Sequence, residues 1–413
     1  MLNYTSVWNT DAVDPLAPAL PRSRRQFLRR ALATGSLALA RPDALLAQIR
    51  AESACLPAPP GQHVRDLPLY GAGAEEVPLG QMLGGPGLDA RLFTDLTRLS
   101  PGRMVTPASE LFVRTAVPSG LDHAPAGWTI HLTSPGGPAT AVTAAQLLKG
   151  ARPMGVHLIE CAGNSNPRNF GLMSAVAWDG VPLTEVLERL PRPPGAAALL
   201  VTGADHETPT SRQSLPGASW VLPADALETQ RPFLATGIDG TPLSPDHGAP
   251  VRLVVPGWYG CAWIKWVREI AWVGAAAEST TQMLEFAFRT HQDDIPMLAR
   301  DYEAPAIDTA AMPVRVEQWR VGGTLEYRIV GIVWGGTRPV DRLVLRLGAR
   351  DRGTPVRVCP APSTTRTWTL WTHRWRPADP GPYDISLRTA DSRVRTRRLD
   401  LSFYIRRVSI DEV

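Results

Sequence analysis

Beyond residue 311 every helix signal in the chain stops. Strand-forming runs recur at residues 314–321, 325–334, 342–347, 355–358, 366–373, 383–388 and 399–408. Gly322-Gly323, Gly335-Gly336 and Pro380-Gly381-Pro382 part several of them. Short strands of this kind, about seven with turn residues between them, bury their apolar faces by stacking one sheet on another, so the pattern predicts an immunoglobulin-like β-sandwich. Trp319, Trp334, Trp368, Trp371 and Trp375 then belong to its core and interfaces rather than to an exposed stacking platform.

Upstream the two periodicities alternate. Trp128, Ile130 and Leu132 alternate with polar residues, as in a half-buried strand. Residues 143–149 read as a helix stopped by Gly150, and 156–159 as a strand ending near Cys161. Pro182 opens a helix through Leu190, and Pro223 opens another. Residues 199–201, 252–255 and 267–273 read as strands, with a hairpin turn at Asp239-Gly240. Residues 48–110 form an irregular lead-in with short helices, and 275–311 a linker with some helix. The fold class expected is therefore α+β: a mixed domain over 48–305, then a sandwich over 306–413.

At 413 residues, 44% hydrophobic and 20% charged, the chain is globular and long enough for more than one core. Residues 1–47 stand apart. Ser23-Arg24-Arg25-Gln26-Phe27-Leu28 fits the twin-arginine export pattern, and the apolar stretch 31–40 comes directly after it. As a helix that stretch spans only ~15 Å against a bilayer core of ~30 Å, so it reads as a signal and not as a membrane span. This predicts a periplasmic or otherwise exported protein. The segment holds six arginines and three aspartates, so outside it the net charge falls from +4 to +1. No basic run with interleaved aromatics occurs, which argues against a nucleic-acid partner. The four cysteines form no C-x-x-C pair, and Cys55 and Cys359 read as small apolar residues or spare thiols.

The chemistry concentrates around Cys161, in Ile159-Glu160-Cys161-Ala162-Gly163-Asn164. A thiolate at a strand end, with a glycine after it that lets the backbone turn, reaches a pocket edge as a soft metal ligand. Far downstream come His247, Arg252 and Lys265. Together they make a socket for a metal carried on a polyanionic organic ligand, because such a charge is buried only beside fixed cations. Each alone has an ordinary reading: a buried cysteine, a turn histidine, two surface cations. Their joint order lifts them above it.

That order resembles the sulfite oxidase family of molybdenum enzymes. Cys161-Ala162-Gly163-Asn164 looks like its molybdenum-cysteine loop, and Ala177-Trp178-Asp179-Gly180-Val181-Pro182-Leu183 like the segment after it. Asp239-Gly240-Thr241-Pro242-Leu243 and Asp246-His247-Gly248 are similar to the family's approach to its cofactor histidine. The resemblance implies a molybdenum–molybdopterin cofactor, with a single molybdenum per chain held by Cys161. It implies pterin contacts from His247, Arg252, Trp263, Ile264, Lys265 and Asp205, and from the first cofactor loop at Phe112, Val113, Arg114, Thr115 and Ala116. Arg114 would orient the substrate, and Tyr302 resembles the family's active-site tyrosine, although Phe286 or Phe288 falls nearer the expected spacing. The last hundred or so residues are similar to the family's dimerisation domain, which implies a homodimer.

The activity implied is oxygen-atom transfer on sulfite or a related small sulfur compound. No haem motif is visible, so electrons would pass to an external carrier such as a cytochrome c. Two alternatives stand beside this: a sulfoxide reductase, including one for protein methionine sulfoxide, and a non-catalytic exported binding protein. Thr115 and Ala116 stand where the family usually has Asn-His, and Ser165 and Asn166 where sulfite-oxidising members often carry two arginines, with Arg168 displaced. Losing a fixed cation there puts sulfite itself in question.

Overall fold

The strand Arg152–Glu160 carries the chain to Cys161 and grows more buried as it goes, from exposed Arg152 to fully enclosed Glu160. The computed structural model describes residues 56–71, 91–114, 117–118, 120–164, 170–205, 217–401 and 404–413. The expected export signal, and the substitutions at Thr115, Ala116, Ser165 and Asn166, lie outside these residues.

Arg152–Glu160 pairs antiparallel with Met173–Pro182. That strand pairs with Phe233–Ile238, whose other edge takes both Thr241–Pro242 and Arg252–Val254. Residues 233–238 are all buried, because the sheet is covered on both faces. A second sheet runs in the order Ser219–Pro223, Ala196–Gly203, Val267–Gly274, Thr129–Thr133, Thr140–Thr143, with one parallel pair between Val267–Gly274 and Thr129–Thr133. A continuous core of buried residues, among them Trp128, Trp178, Trp220, Trp263 and Trp266, fills the space about the two. Helices are few and short. Ala144–Gly150 starts on a complete capping box, in which the Thr143 hydroxyl accepts from Gln146 N–H and the Gln146 side chain accepts from Thr143 N–H.

The C-terminal region is two antiparallel sheets over a shared core that includes Val316, Tyr327, Leu343, Trp371 and Val408. One sheet contains Ala310–Val321, Thr324–Trp334 and Thr369–Trp375, and the other Thr354–Arg357, Arg342–Leu347, Gly381–Thr389 and Arg406–Ile410. Each gains an edge strand from the expected irregular lead-in: Gln62–Leu67 pairs with Ala310–Val321, and Tyr70–Gly71 with Arg406–Ile410.

Several expectations shift. Pro223 ends a strand, and the helical turn comes later at Ala226–Thr229. The helix after Pro182 is only Leu183–Leu187. The run at 399–408 keeps its strand only from Arg406, because its first half turns back on itself through Leu401 N–H to Arg398 O and Tyr404 N–H to Leu401 O. Cys359 is disulfide-bonded, not a spare thiol, and its partner lies outside the described residues. Cys161 and Cys261 are free and buried. Among the described residues no helix is long and apolar enough to cross a membrane.

Candidate active site

Phe112, Arg114, Cys161, Asp205, His247, Arg252, Trp263, Ile264 and Lys265 line one cavity that opens to solvent. They are far apart in sequence, and the sheet pairings bring them together. Arg252 sits at the start of Arg252–Val254, hydrogen-bonded against Phe233–Ile238, while Cys161 comes just after the far strand of the same sheet. Lys265 precedes Val267–Gly274 of the other sheet, and Asp205 lies just past its neighbour Ala196–Gly203.

The Cys161 turn is fixed by its backbone. Cys161 N–H donates to Leu172 O at 2.9 Å, and Asn164 N–H to Cys161 O at 2.9 Å. The Asn164 side-chain oxygen accepts from Leu172 N–H at 3.2 Å, and Gly163 N–H points at the Cys161 Sγ, 3.3 Å away. Burial pushes the thiol up, and Arg114, the Gly163 N–H and Arg289 pull against it. The protein alone therefore keeps the sulfur protonated, and a bound metal would take it as thiolate.

On the facing side three basic side chains converge. Arg252 is 2% exposed. Its Nη1 and Nη2 donate to His247 O and Trp263 O, both at 3.2 Å, and its Nε is buried with no partner among the described residues. The guanidinium lies 5.4 Å from the Trp178 ring and 5.8 Å from the Trp263 ring. Burial lowers its pKa to about 9. The Lys265 ammonium donates to Asp246 O at 2.5 Å, and burial together with the Arg252 charge lowers it to about 7. His247 is held to about 3 by burial, then by Lys265 and Arg252, so it is neutral. Its network assigns the tautomer: Nε2–H donates to Leu111 O at 3.2 Å and Nδ1 accepts from the Ser244 hydroxyl at 2.7 Å. Gly248, at φ 98°, allows this crowding. A Cβ there would meet Lys265 Cβ at 3.0 Å and Arg252 Cβ at 3.1 Å.

The structure sets some of the expected residues away from the cavity. Tyr302 is not among the residues lining the cavity. Its hydroxyl is taken by Met283 O at 3.0 Å and the Thr290 hydroxyl at 2.9 Å, and its ring packs edge-on against Trp220. Phe286 lines the cavity instead, and Phe288 is 66% exposed. Val113 is buried, in register with Leu92, and does not line the cavity, whereas its neighbours Phe112 and Arg114 do. Sequence reasoning missed Gln282, Glu285 and Cys261 in the wall, and Arg289 near it. A Cβ placed on Gly163 would meet Arg289 Nη1 at 3.4 Å and Cys161 Sγ at 3.6 Å, so guanidinium and sulfur flank the same glycine. Nothing around Arg289 in the sequence marks it out.

Among the described residues no cluster of three His, Cys, Asp or Glu side chains could hold a bare metal ion. A metal here would be bound through one cysteine and through donors it brings with it. The partnerless Nε of Arg252 and the depressed Lys265 call for an anion in the same cavity. A molybdenum carried on an anionic dithiolene pterin fits both requirements.

The comparisons agree. Residues 115–281 match the oxidoreductase molybdopterin binding domain. Fold and site thus fit an oxidoreductase molybdopterin-binding domain over that span. Sulfite oxidase of Gallus gallus is 27% identical over 295 residues, covering 65% of this chain and 62% of that protein. Inducible nitrate reductase [NADH] 2 of Glycine max is 32% identical over 199 residues, 42% of this chain and 21% of that protein. The chain thus spans less than two thirds of these relatives. The sulfane dehydrogenase SoxCD of Paracoccus pantotrophus shares the fold, with a TM-score of 0.57 and 18% identity over 97% of both chains. The chain thus carries a molybdopterin-binding domain and is similar to sulfite oxidases over most of its length.

Proposed function

We propose that this protein is an exported molybdenum-cofactor oxidoreductase that oxidises a small anionic sulfur compound and passes the electrons to a separate carrier, such as a cytochrome c. The observation that carries the substrate class is the pair Arg114 and Arg289, whose charges both act on the Cys161 sulfur. Ser165 and Asn166 stand where the family's sulfite-oxidising members often carry arginines, and Arg289 supplies a cation beside the Cys161 sulfur from a different segment. Two guanidiniums beside the reacting centre favour an oxyanion over a neutral sulfoxide.

When bound, the cofactor supplies two-electron oxygen-atom transfer. The protein's share is binding and orientation. Cys161 would ligate the metal, and Arg252, Lys265 and the neutral His247 would hold the anionic pterin with its phosphate. Arg114 and Arg289 would draw the substrate anion to the open side. For sulfite, the anion and a water give sulfate, two protons and two electrons. The protons leave to solvent through the open side of the cavity, whose wall includes Glu285. The relatives named sulfite oxidase and sulfane dehydrogenase support the sulfur chemistry, and the disulfide at Cys359 supports an oxidising destination. A homodimer through the C-terminal sheets completes the proposal.

Steady-state assays of the molybdenum-loaded protein test this. Sulfite or thiosulfate should reduce cytochrome c in its presence. Turnover confined to sulfoxides with a viologen donor would overturn the proposal, as would purified protein devoid of molybdenum.

A further inference from the structure

Glu160, the residue before Cys161, is 0% exposed, and its carboxylate is held by the C-terminal region. Arg397 Nη1 donates to its Oε1 at 2.7 Å and Nη2 to its Oε2 at 2.8 Å, in a bidentate pair across 237 residues of sequence. Trp334 Nε1–H donates to Oε2 at 2.8 Å. From the other side Asn164 Nδ2 donates to Oε1 at 3.3 Å, and Asn164 also closes the Cys161 turn through Leu172. The Arg397 guanidinium is fixed in turn. It donates to the Tyr404 hydroxyl at 2.9 Å, lies 4.9 Å from the Tyr259 ring, and its backbone N–H donates to Thr309 O at 3.1 Å. Gly260, next to Tyr259, packs so close to the Glu160 carbonyl that a Cβ there would sit 3.2 Å from it.

We infer that Glu160 and Arg397, with Trp334, form a positioning clamp through which the C-terminal sheets set the direction of the Cys161 sulfur. Stability alone gives such a pair little reason to be buried, since well-packed neutral residues of similar size commonly serve as well. Geometry gives it a reason. The carboxylate reaches two donors from the C-terminal region and one from the Cys161 turn, so any sliding of those sheets is passed to the turn as a change in hydrogen bonding. Neither Glu160 nor Arg397 lines the cavity, and the inference holds whatever the substrate is.

The test is amide hydrogen exchange on the full-length, cofactor-loaded chain, together with the Mo(V) electron paramagnetic resonance spectrum. Glu160→Gln with Arg397→Met removes both charges at once, so no unpaired ion is left buried. Exchange at the Cys161 and Asn164 amides should rise about 10-fold, equivalent to about 1.4 kcal/mol of local opening, while amides in Met173–Pro182 stay protected and the Mo(V) spectrum shifts. Trp334→Phe removes one donor, keeps the ring and is the milder variant. It should raise exchange at the same two amides about 3-fold, and stands alone if the double variant does not fold. Asp384→Asn with Arg407→Gln removes a comparable pair on the exposed face of the C-terminal sheets and should change neither readout. Unchanged exchange and spectrum in Trp334→Phe would overturn the inference. So would equal loss of protection in Met173–Pro182, or the same response from the Asp384 and Arg407 control.

Discussion

Without its cofactor this protein keeps an ammonium and a guanidinium together in a half-enclosed cavity, and its stability should climb as the solution turns alkaline. In the folded chain Lys265 loses its proton near pH 7, against 10.5 for a free lysine, through burial and the adjacent Arg252. Below pH 7 both folded and unfolded chains carry the proton and the folded form bears the full penalty. Between pH 7 and 10.5 the unfolded chain keeps a proton that the folded chain has released, so the folded form gains; above 10.5 the gain is complete. At ~1.4 kcal/mol per pH unit the whole window is worth at most about 5 kcal/mol, with about 2 kcal/mol of it between about pH 7 and 9. Urea unfolding of the cofactor-free chain at about pH 7, 8 and 9 measures it. Wild type should gain about 2 kcal/mol relative to Lys265→Met across that span. With the cofactor bound, its negative charge holds Lys265 protonated and the same span should be nearly flat. A rise of equal slope in Lys265→Met would refute the reasoning, because the titrating group would then lie elsewhere.

Cys161→Ser should abolish molybdenum-dependent turnover, and full activity in that variant, checked beside elemental analysis, would remove the ligand assignment. Tyr302→Phe should leave the turnover number unchanged while lowering stability by about 1–2 kcal/mol in chemical denaturation, because the lost hydroxyl serves Met283 O and Thr290. Arg289→Ala should raise the KM for an anionic substrate about tenfold, about 1.4 kcal/mol, with kcat little altered, as read from initial rates at fixed ionic strength. Gly248→Ala should cost about 1–3 kcal/mol in the thermal transition, since it puts a side chain at φ 98° against the Lys265 and Arg252 stems.

The meeting of Cys161, His247, Arg252 and Lys265 at one cavity was legible because these residues come in an order with meaning: a cysteine after a strand, then three basic residues at set spacings. The strand-only character of the C-terminal region was legible for a similar reason, since glycine and proline turns punctuate it. Other features leave no local trace. Arg397 is one arginine in an arginine-rich tail, and only the folded chain shows that it reaches Glu160. Arg289 is an exposed cation whose value comes from the glycine it faces. Gln62–Leu67 escaped notice because an outer strand with all but its last residue exposed has no alternation to read. Tyr302 has neighbours, Arg300 and Asp301, that look right, but its hydroxyl is bonded to Met283 O and Thr290 and only Phe286 of the alternatives lines the cavity.

The pairing of Gln62–Leu67 with Ala310–Val321, and of Tyr70–Gly71 with Arg406–Ile410, ties the beginning of the described chain to its end. During synthesis Gln62–Leu67 must wait unpaired until Ala310–Val321 emerges, and Tyr70–Gly71 until Arg406–Ile410 does. The catalytic half cannot be severed cleanly from the C-terminal sheets by cutting near residue 305, because each piece would expose a torn sheet edge. Any shortened version meant to fold would have to carry residues 62–71 along with the final strands.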